Sequence, residues 1–70
     1  MSQRKIRHEV FTAVHDSLGK ACGVLKIDTG TWALNRPGIT VVSSALTMAT
    51  VQHEDRKEYI LVETIWYYEE

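Results

Sequence analysis

The sequence predicts an α+β protein in which an N-terminal helix packs on a small antiparallel sheet of three to four strands. Three observations lead to this class. Apolar residues recur at three- and four-residue steps from Arg4 to Leu18, β-branched residues are concentrated from Ile39 to Val51, and side chains alternate between two apolar faces from Glu58 to Tyr68. One helix over one sheet is a standard two-layer solution. The alternative is a small all-β barrel in which the N-terminal segment is a further strand.

The N-terminal helix is predicted over Arg4 to Leu18. Its apolar stripe has the spacing of one helix face and consists of Ile6, Val10, Ala13, Val14 and Leu18. Ser2 is a candidate N-cap, and Gly19 or Gly23 is a candidate C-cap. Several residues of the segment are also good strand formers. Their apolar positions do not alternate cleanly, so a period of 3.6 is favoured over a period of 2.

The middle of the chain is predicted to form short strands and turns. Gly23 to Asp28 and Thr31 to Leu34 are interpreted as two short strands, joined by a turn at Asp28-Thr29-Gly30. A stronger turn signal follows at Asn35-Arg36-Pro37-Gly38, since proline presets φ at the second turn position and glycine suits a later one. This turn should lead directly into the first long strand.

Two long strands are predicted to form a C-terminal hairpin. The first covers Ile39 to Val51, with a bulge near Ser43-Ser44, and the second covers Glu58 to Tyr68. The charged run from Gln52 to Glu58 supplies the hairpin loop. A helix beginning at Ser44 is the rival interpretation. It is disfavoured because its apolar stripe would include polar residues of the charged run.

The last strand has two apolar faces, and a single helix covers only one of them. We predict that Trp66 belongs to the core under the helix and that Tyr67 lies on the uncovered side. Uncovered apolar patches on small proteins usually mark interfaces, and Tyr and Trp dominate interface energetics. The predicted protein interface consists of Tyr59, Leu61, Ile65, Tyr67 and Tyr68.

Length and composition set the broad class. The 70 residues are 44% hydrophobic and 24% charged, which is a globular balance and fits one domain over residues 1–70. No apolar run approaches the about 20 residues of a membrane helix, and no secretory signal is present, so we expect a cytoplasmic protein. The single cysteine, Cys22, cannot form an intrachain disulfide. Domains this small usually need a disulfide, a metal or oligomerisation, so self-association gains weight.

Candidate chemical sites are weak. His8, His15 and Cys22 recur every seven residues, but seven helical residues rise about 10.5 Å, too far for two ligands of one metal ion. The triplet His53-Glu54-Asp55 is interpreted as a solvated loop, and Cys22 lacks a base placed by spacing to activate it. We therefore predict no catalytic residues, no metal and no cofactor, and we do not expect an enzyme.

The charge is distributed unevenly. Residues 1–26 carry a net charge of +3 and residues 27–70 carry −4. The basic part suggests nucleic-acid contact through Arg4, Lys5 and Arg7, although a pI near 6.3 opposes it. The leading hypothesis is a non-catalytic protein that acts by protein–protein contact, as a regulator or inhibitor of another macromolecule, and forms a homodimer or other homo-oligomer. Nucleic-acid binding is the alternative.

Overall fold

The computed structural model describes residues 5–69 of the chain, in four elements. These are β1 (Arg7–His15), α1 (Leu18–Leu34), β2 (Ile39–Gln52) and β3 (Lys57–Glu69). The predicted α+β class is confirmed, because one helix packs on a three-stranded antiparallel sheet. The sheet is open rather than closed, so the barrel alternative is wrong.

The strands lie in the order β1-β3-β2. Both β1 and β2 are antiparallel to β3, so they run parallel to each other, and α1 is the crossover between them. This is a split β-α-β arrangement with β3 inserted between the two parallel strands. Within the described sheet, β3 therefore has a hydrogen-bonded neighbour on each side, whereas β1 and β2 are edge strands.

The predicted N-terminal helix over Arg4 to Leu18 is wrong. Residues 7–15 form β1, which pairs with β3 from Arg7↔Tyr67 to His15↔Tyr59. Pairing with β3 over nine consecutive positions supplies backbone hydrogen bonds along one side of the segment, and the β-branched content of the segment prevails over its apolar spacing. Arg4 and the predicted cap Ser2 lie outside the described residues.

The helix instead occupies the next segment. The short strands predicted at residues 23–28 and 31–34, and the turn at residues 28–30, are all wrong, because α1 runs through them without a break. Ser17 is the N-cap, and its hydroxyl accepts a 3.5 Å hydrogen bond from the backbone N–H of Lys20. At the other end the Asn35 N–H donates to the Thr31 carbonyl over 3.1 Å. Gly19 and Gly23, expected as caps, are inside the helix.

The C-terminal half follows the prediction. The turn at residues 35–38 connects α1 to β2, and both long strands are confirmed. A register shift between Val41 and Ser43 confirms the bulge, and the rival helix at Ser44 is wrong. The hairpin loop closes with a 2.8 Å hydrogen bond from the His53 N–H to the Arg56 carbonyl.

The core lies between α1 and the side of the sheet formed by the odd-numbered residues of β1 and β3. Its fully buried members are Ala13, Ala21, Leu25 and Leu61, with Phe11 packed against them. The prediction that Trp66 belongs to this core is wrong, because α1 covers the opposite side of β3. Alanine at position 13 and at position 21 lets helix and sheet approach closely, which selects this side.

The molecule is long and thin. Its principal dimensions are 58 × 18 × 11 Å and its radius of gyration is 14.9 Å, against about 11 Å for a compact chain of this length. The 14 residues of β2 alone extend about 46 Å at about 3.3 Å per residue. No helix within residues 5–69 has the length and apolar character needed to cross a membrane.

Candidate protein interface

The side of the sheet that faces away from α1 is uncovered, and we call it the open face. It is built from alternate residues of all three strands, which the pairing places side by side. Its members, apart from ionisable residues near its ends, are Val10, Thr12, Val14, Thr40, Ser43, Ala45, Thr47, Ala49, Val51, Ile60, Val62, Thr64, Trp66 and Tyr68.

The open face is apolar and uncharged. Among these 14 described positions the only polar side chains are serine, threonine and tyrosine. Two ionisable residues share the face with them near its two ends, His8 beside Trp66 and Glu58 beside Val51. Val10 and Val14 are 51% and 52% exposed on the edge strand. Trp66 is half-buried between its cross-strand neighbours. An uncovered surface of this composition is typical of a protein contact.

The size of the side chains on the open face differs between the strands. On β2 the side chains are mostly small, with Ser43, Ala45 and Ala49 opposite Trp66, Thr64 and Ile60 of β3. The large side chains therefore protrude along β3, the central strand, and a shallow groove runs beside them along β2. Protruding side chains of a partner could pack into that groove.

A second apolar area lies on the other side of β2. Helix α1 packs mainly on β1 and β3, so Val41, Leu46 and Met48 on the helix side of β2 are 53%, 56% and 55% exposed. This area is narrower than the open face, since it is one strand wide. It provides a comparison surface for experiments on the open face.

Most of the predicted interface residues lie under the helix. Leu61, Ile65 and Tyr67 are 2%, 8% and 3% exposed, and Tyr59 is half-buried on the same side. Tyr68 alone belongs to the open face. The structure thus buries Leu61, Ile65 and Tyr67 and leaves Tyr59 half-buried on the same side. It places Val10, Val14 and Trp66, which were not in the predicted interface, on the uncovered side. The predicted alternation of side chains along β3 was correct, but the side covered by the helix was assigned wrongly. The signal that could have corrected it is Ala13, whose small side chain lets a helix approach that side of the sheet.

One end of the sheet carries an aromatic cluster. Trp32 of α1 makes edge-on contacts with Phe11 and Tyr67, at ring-centroid distances of 5.5 and 5.0 Å. The Trp32 Nε1 atom is buried and has no hydrogen-bond acceptor among the described residues. The packing of three rings thus holds the C-terminal end of α1 against β1 and β3.

The basic segment is partly neutralised at the same end. Arg4 lies outside the described residues, and Lys5 and Arg7 are exposed. Nη1 of Arg7 lies 4.0 Å from Oε1 of Glu69, and Nη1 of Arg36 lies 2.6 Å from the same oxygen. A carboxylate between two guanidinium groups lowers the positive potential that a phosphate backbone would meet.

The opposite end of the sheet is polar. A shallow, open depression there is lined by Val14, His15, Asp16, Arg56 and Glu58. His15 Nδ1 lies 2.7 Å from the Asp16 carboxylate, and Glu58 accepts ion-pair contacts from His53 at 2.9 Å and Arg56 at 3.5 Å. These contacts join neighbours on the exposed chain and hold the hairpin loop. They bring no hydroxyl or thiol nucleophile to a base.

The residues singled out for metal or thiol chemistry are dispersed. His8 ends the open face, His15 lies on the helix side of β1, and Cys22 is exposed on α1. Within residues 5–69 no group of three His, Cys, Asp or Glu side chains is placed to hold a metal ion. Comparisons with protein-family models, curated proteins and solved structures find no match. The surface chemistry of the chain therefore carries the functional inference.

Proposed function

We propose that this chain is a non-catalytic binding protein that acts by protein–protein contact through the open face and that it self-associates. The observation that supports the proposal is the apolar surface of the open face, three strands wide, with Val10 and Val14 half exposed and Trp66 on its central strand. Surfaces of this kind on monomeric proteins are usually interaction sites. A small regulator or inhibitor of another macromolecule, acting in the cytoplasm, is the role that we propose for it.

The test compares two neighbouring positions of β2 that point to opposite sides. Ala45→Arg places a charge on the open face, and Leu46→Arg places the same charge on the helix side of the same strand. Each protein is immobilised and exposed to lysate of the source organism, and the proteins retained by wild type are identified and purified. Their affinities for the three forms are then measured by calorimetry.

We expect the retained proteins to bind wild type and Leu46→Arg equally and to bind Ala45→Arg roughly 100-fold more weakly, because an unpaired charge is costly to bury. Equal binding by all three forms would show that the open face is not the binding surface. A loss confined to Leu46→Arg would move the interface to the helix side of β2.

Nucleic-acid binding through Arg4, Lys5 and Arg7 is the second proposal. The exposure of Lys5 and Arg7 at one end of the sheet supports it, and the contact between Arg7 and Glu69 opposes it. Fluorescence anisotropy with labelled single- and double-stranded oligonucleotides tests it. The proposal predicts an affinity that falls steeply with salt and is lost on Lys5→Glu/Arg7→Glu substitution. Unchanged binding of the double variant would remove it.

A further inference from the structure

We infer that the occupant of the open face is a second copy of this chain, so that two sheets pack face to face across a two-fold axis with the two helices outside. This inference rests on the proposed function and names the partner within it. Three observations support it: the area that the monomer leaves exposed, the charge pattern of the open face, and the arrangement of large and small side chains on that face.

The chain exposes more surface to solvent than a typical folded monomer of the same mass. The chain has an accessible surface of 5302 Å² at a mass of 8.0 kDa, whereas a typical folded monomer of that mass exposes about 4,450 Å². The excess of roughly 850 Å² is close to the about 800 Å² that each partner buries in a stable interface of standard size. One further protein face would bring the exposed area per chain to the ordinary value.

The charge pattern permits pairing of identical surfaces. In a two-fold contact the same patch is used by both subunits, so any charge near its centre is buried in both copies and close to its own equivalent. The 14 described positions of the open face carry no formal charge, and the ionisable residues on the same side, His8 and Glu58, lie toward its two ends and away from its centre. The helix side of the sheet, by contrast, carries Glu9 and Glu63 within its strands. The open face is thus the side of the sheet that can meet its own copy without an unpaired charge.

The relief of the open face is also suited to its own copy. Sheets that pack face to face lie about 10 Å apart, with side chains of the two faces interdigitating. The large side chains of β3, such as Ile60 and Trp66, protrude from the open face. In the dimer they would pack against the small side chains of Ala45 and Ala49 on β2 of the second copy. The monomer has a helix on only one side of its sheet. A second sheet on the other side gives β3 an interior on both of its sides.

Sedimentation velocity on the full chain from nanomolar to high micromolar concentration tests the inference. We expect wild type to sediment as a dimer at micromolar concentration. Ala45→Arg, and Val10→Arg on a different strand of the same face, should weaken the dimer by roughly 100-fold or more. Leu46→Arg, the matched control on the helix side, should remain dimeric. Far-UV circular dichroism of each variant verifies that the monomers are folded.

Three results would overturn the inference. Wild type could remain monomeric at all concentrations, Ala45→Arg and Val10→Arg could remain dimeric, or Leu46→Arg alone could become monomeric, which would place the contact on the helix side of β2. If wild type is monomeric and its open face still binds a host protein that Ala45→Arg loses, protein–protein contact through the open face stands as the proposed function, whereas self-association and the second copy as partner are wrong.

Discussion

The indole of Trp32 lies edge-on against the ring of Tyr67, with 5.0 Å between the ring centroids and 75° between the ring planes. The contact joins the last turn of α1 to the end of β3, 35 positions later in the chain. Phe11 of β1 makes a second edge-on contact with the same indole, at 5.5 Å and 69°. Three elements thus meet at one side chain, which makes Trp32 a central contact for holding the helix on the sheet.

Replacing Trp32 separates the packing of its ring from the effect of its N–H. Trp32→Ala should lower the free energy of unfolding by about 3–5 kcal/mol, since it removes both ring contacts. Trp32→Phe should cost clearly less, because it retains a ring and removes an N–H that is buried without an acceptor among residues 5–69. Urea denaturation followed by far-UV circular dichroism at one fixed protein concentration measures both. Equal losses for the two variants would contradict the ring-packing account.

The closest approach of helix and sheet should tolerate no larger side chain. Ala21 is fully buried, at 0% exposure, whereas the next residue, Cys22, is exposed. We expect Ala21→Leu to cost about 1–3 kcal/mol through overpacking, and Cys22→Leu to change stability by less than about 0.5 kcal/mol. Thermal and urea unfolding of the pair provide the comparison. An Ala21→Leu variant with unchanged stability would mean that α1 and the sheet are not closely packed at this point.

Two glycines inside α1 offer a stabilising change. A Cβ atom added at Gly23 or at Gly30 would meet no atom within 4 Å. Both residues are exposed and helical, so alanine should raise the free energy of unfolding by about 0.5–1 kcal/mol at each position through a smaller loss of backbone entropy. Chemical denaturation of the single and double variants should give nearly additive gains. A loss of stability at either position would argue against a continuous helix there.

The ion pair between Arg36 and Glu69 should contribute little in spite of its short distance. The atoms are 2.6 Å apart, but the two side chains are 42% and 39% exposed. A double-mutant cycle with Arg36→Ala and Glu69→Ala should give a coupling free energy of about 0.2–1 kcal/mol that decreases as salt is added. A coupling well above that range, or one insensitive to salt, would show that the pair is shielded from solvent.

Trp66 provides an optical test of the proposed dimer. The chain has two tryptophans, so Trp32→Phe leaves Trp66 on the open face as the only one. Its emission should shift to shorter wavelength as the protein concentration rises, because the second sheet would exclude water from the indole. The Ala45→Arg substitution in the same background should abolish the shift. A spectrum that is independent of concentration, in a range where sedimentation shows a dimer, would place Trp66 outside the contact.

The amino-acid sequence by itself determined the two C-terminal strands, the turn before them and the alternation along β3, whereas the α+β class was right although the helix was assigned to the wrong segment. These features have local causes. Proline and glycine fix the turn at residues 35–38, β-branched residues favour the extended chain of β2, and strict alternation of side chains is a property of a strand wherever it packs.

Only the tertiary structure decided the state of the first half and the side of the sheet that is covered. Residues 7–15 become a strand because β3, about 50 positions away, supplies their hydrogen-bond partners. Helix α1 shows no apolar stripe, since it buries Ala21 and Leu25 but exposes Val24, Ile27 and Leu34. The covered side is the one on which Ala13 of β1 and Ala21 of α1 belong to one buried cluster, formed by separate elements. Strand pairing between residues far apart in the chain therefore decided that residues 7–15 form a strand. Packing of α1 decided which apolar face of β3 remains exposed.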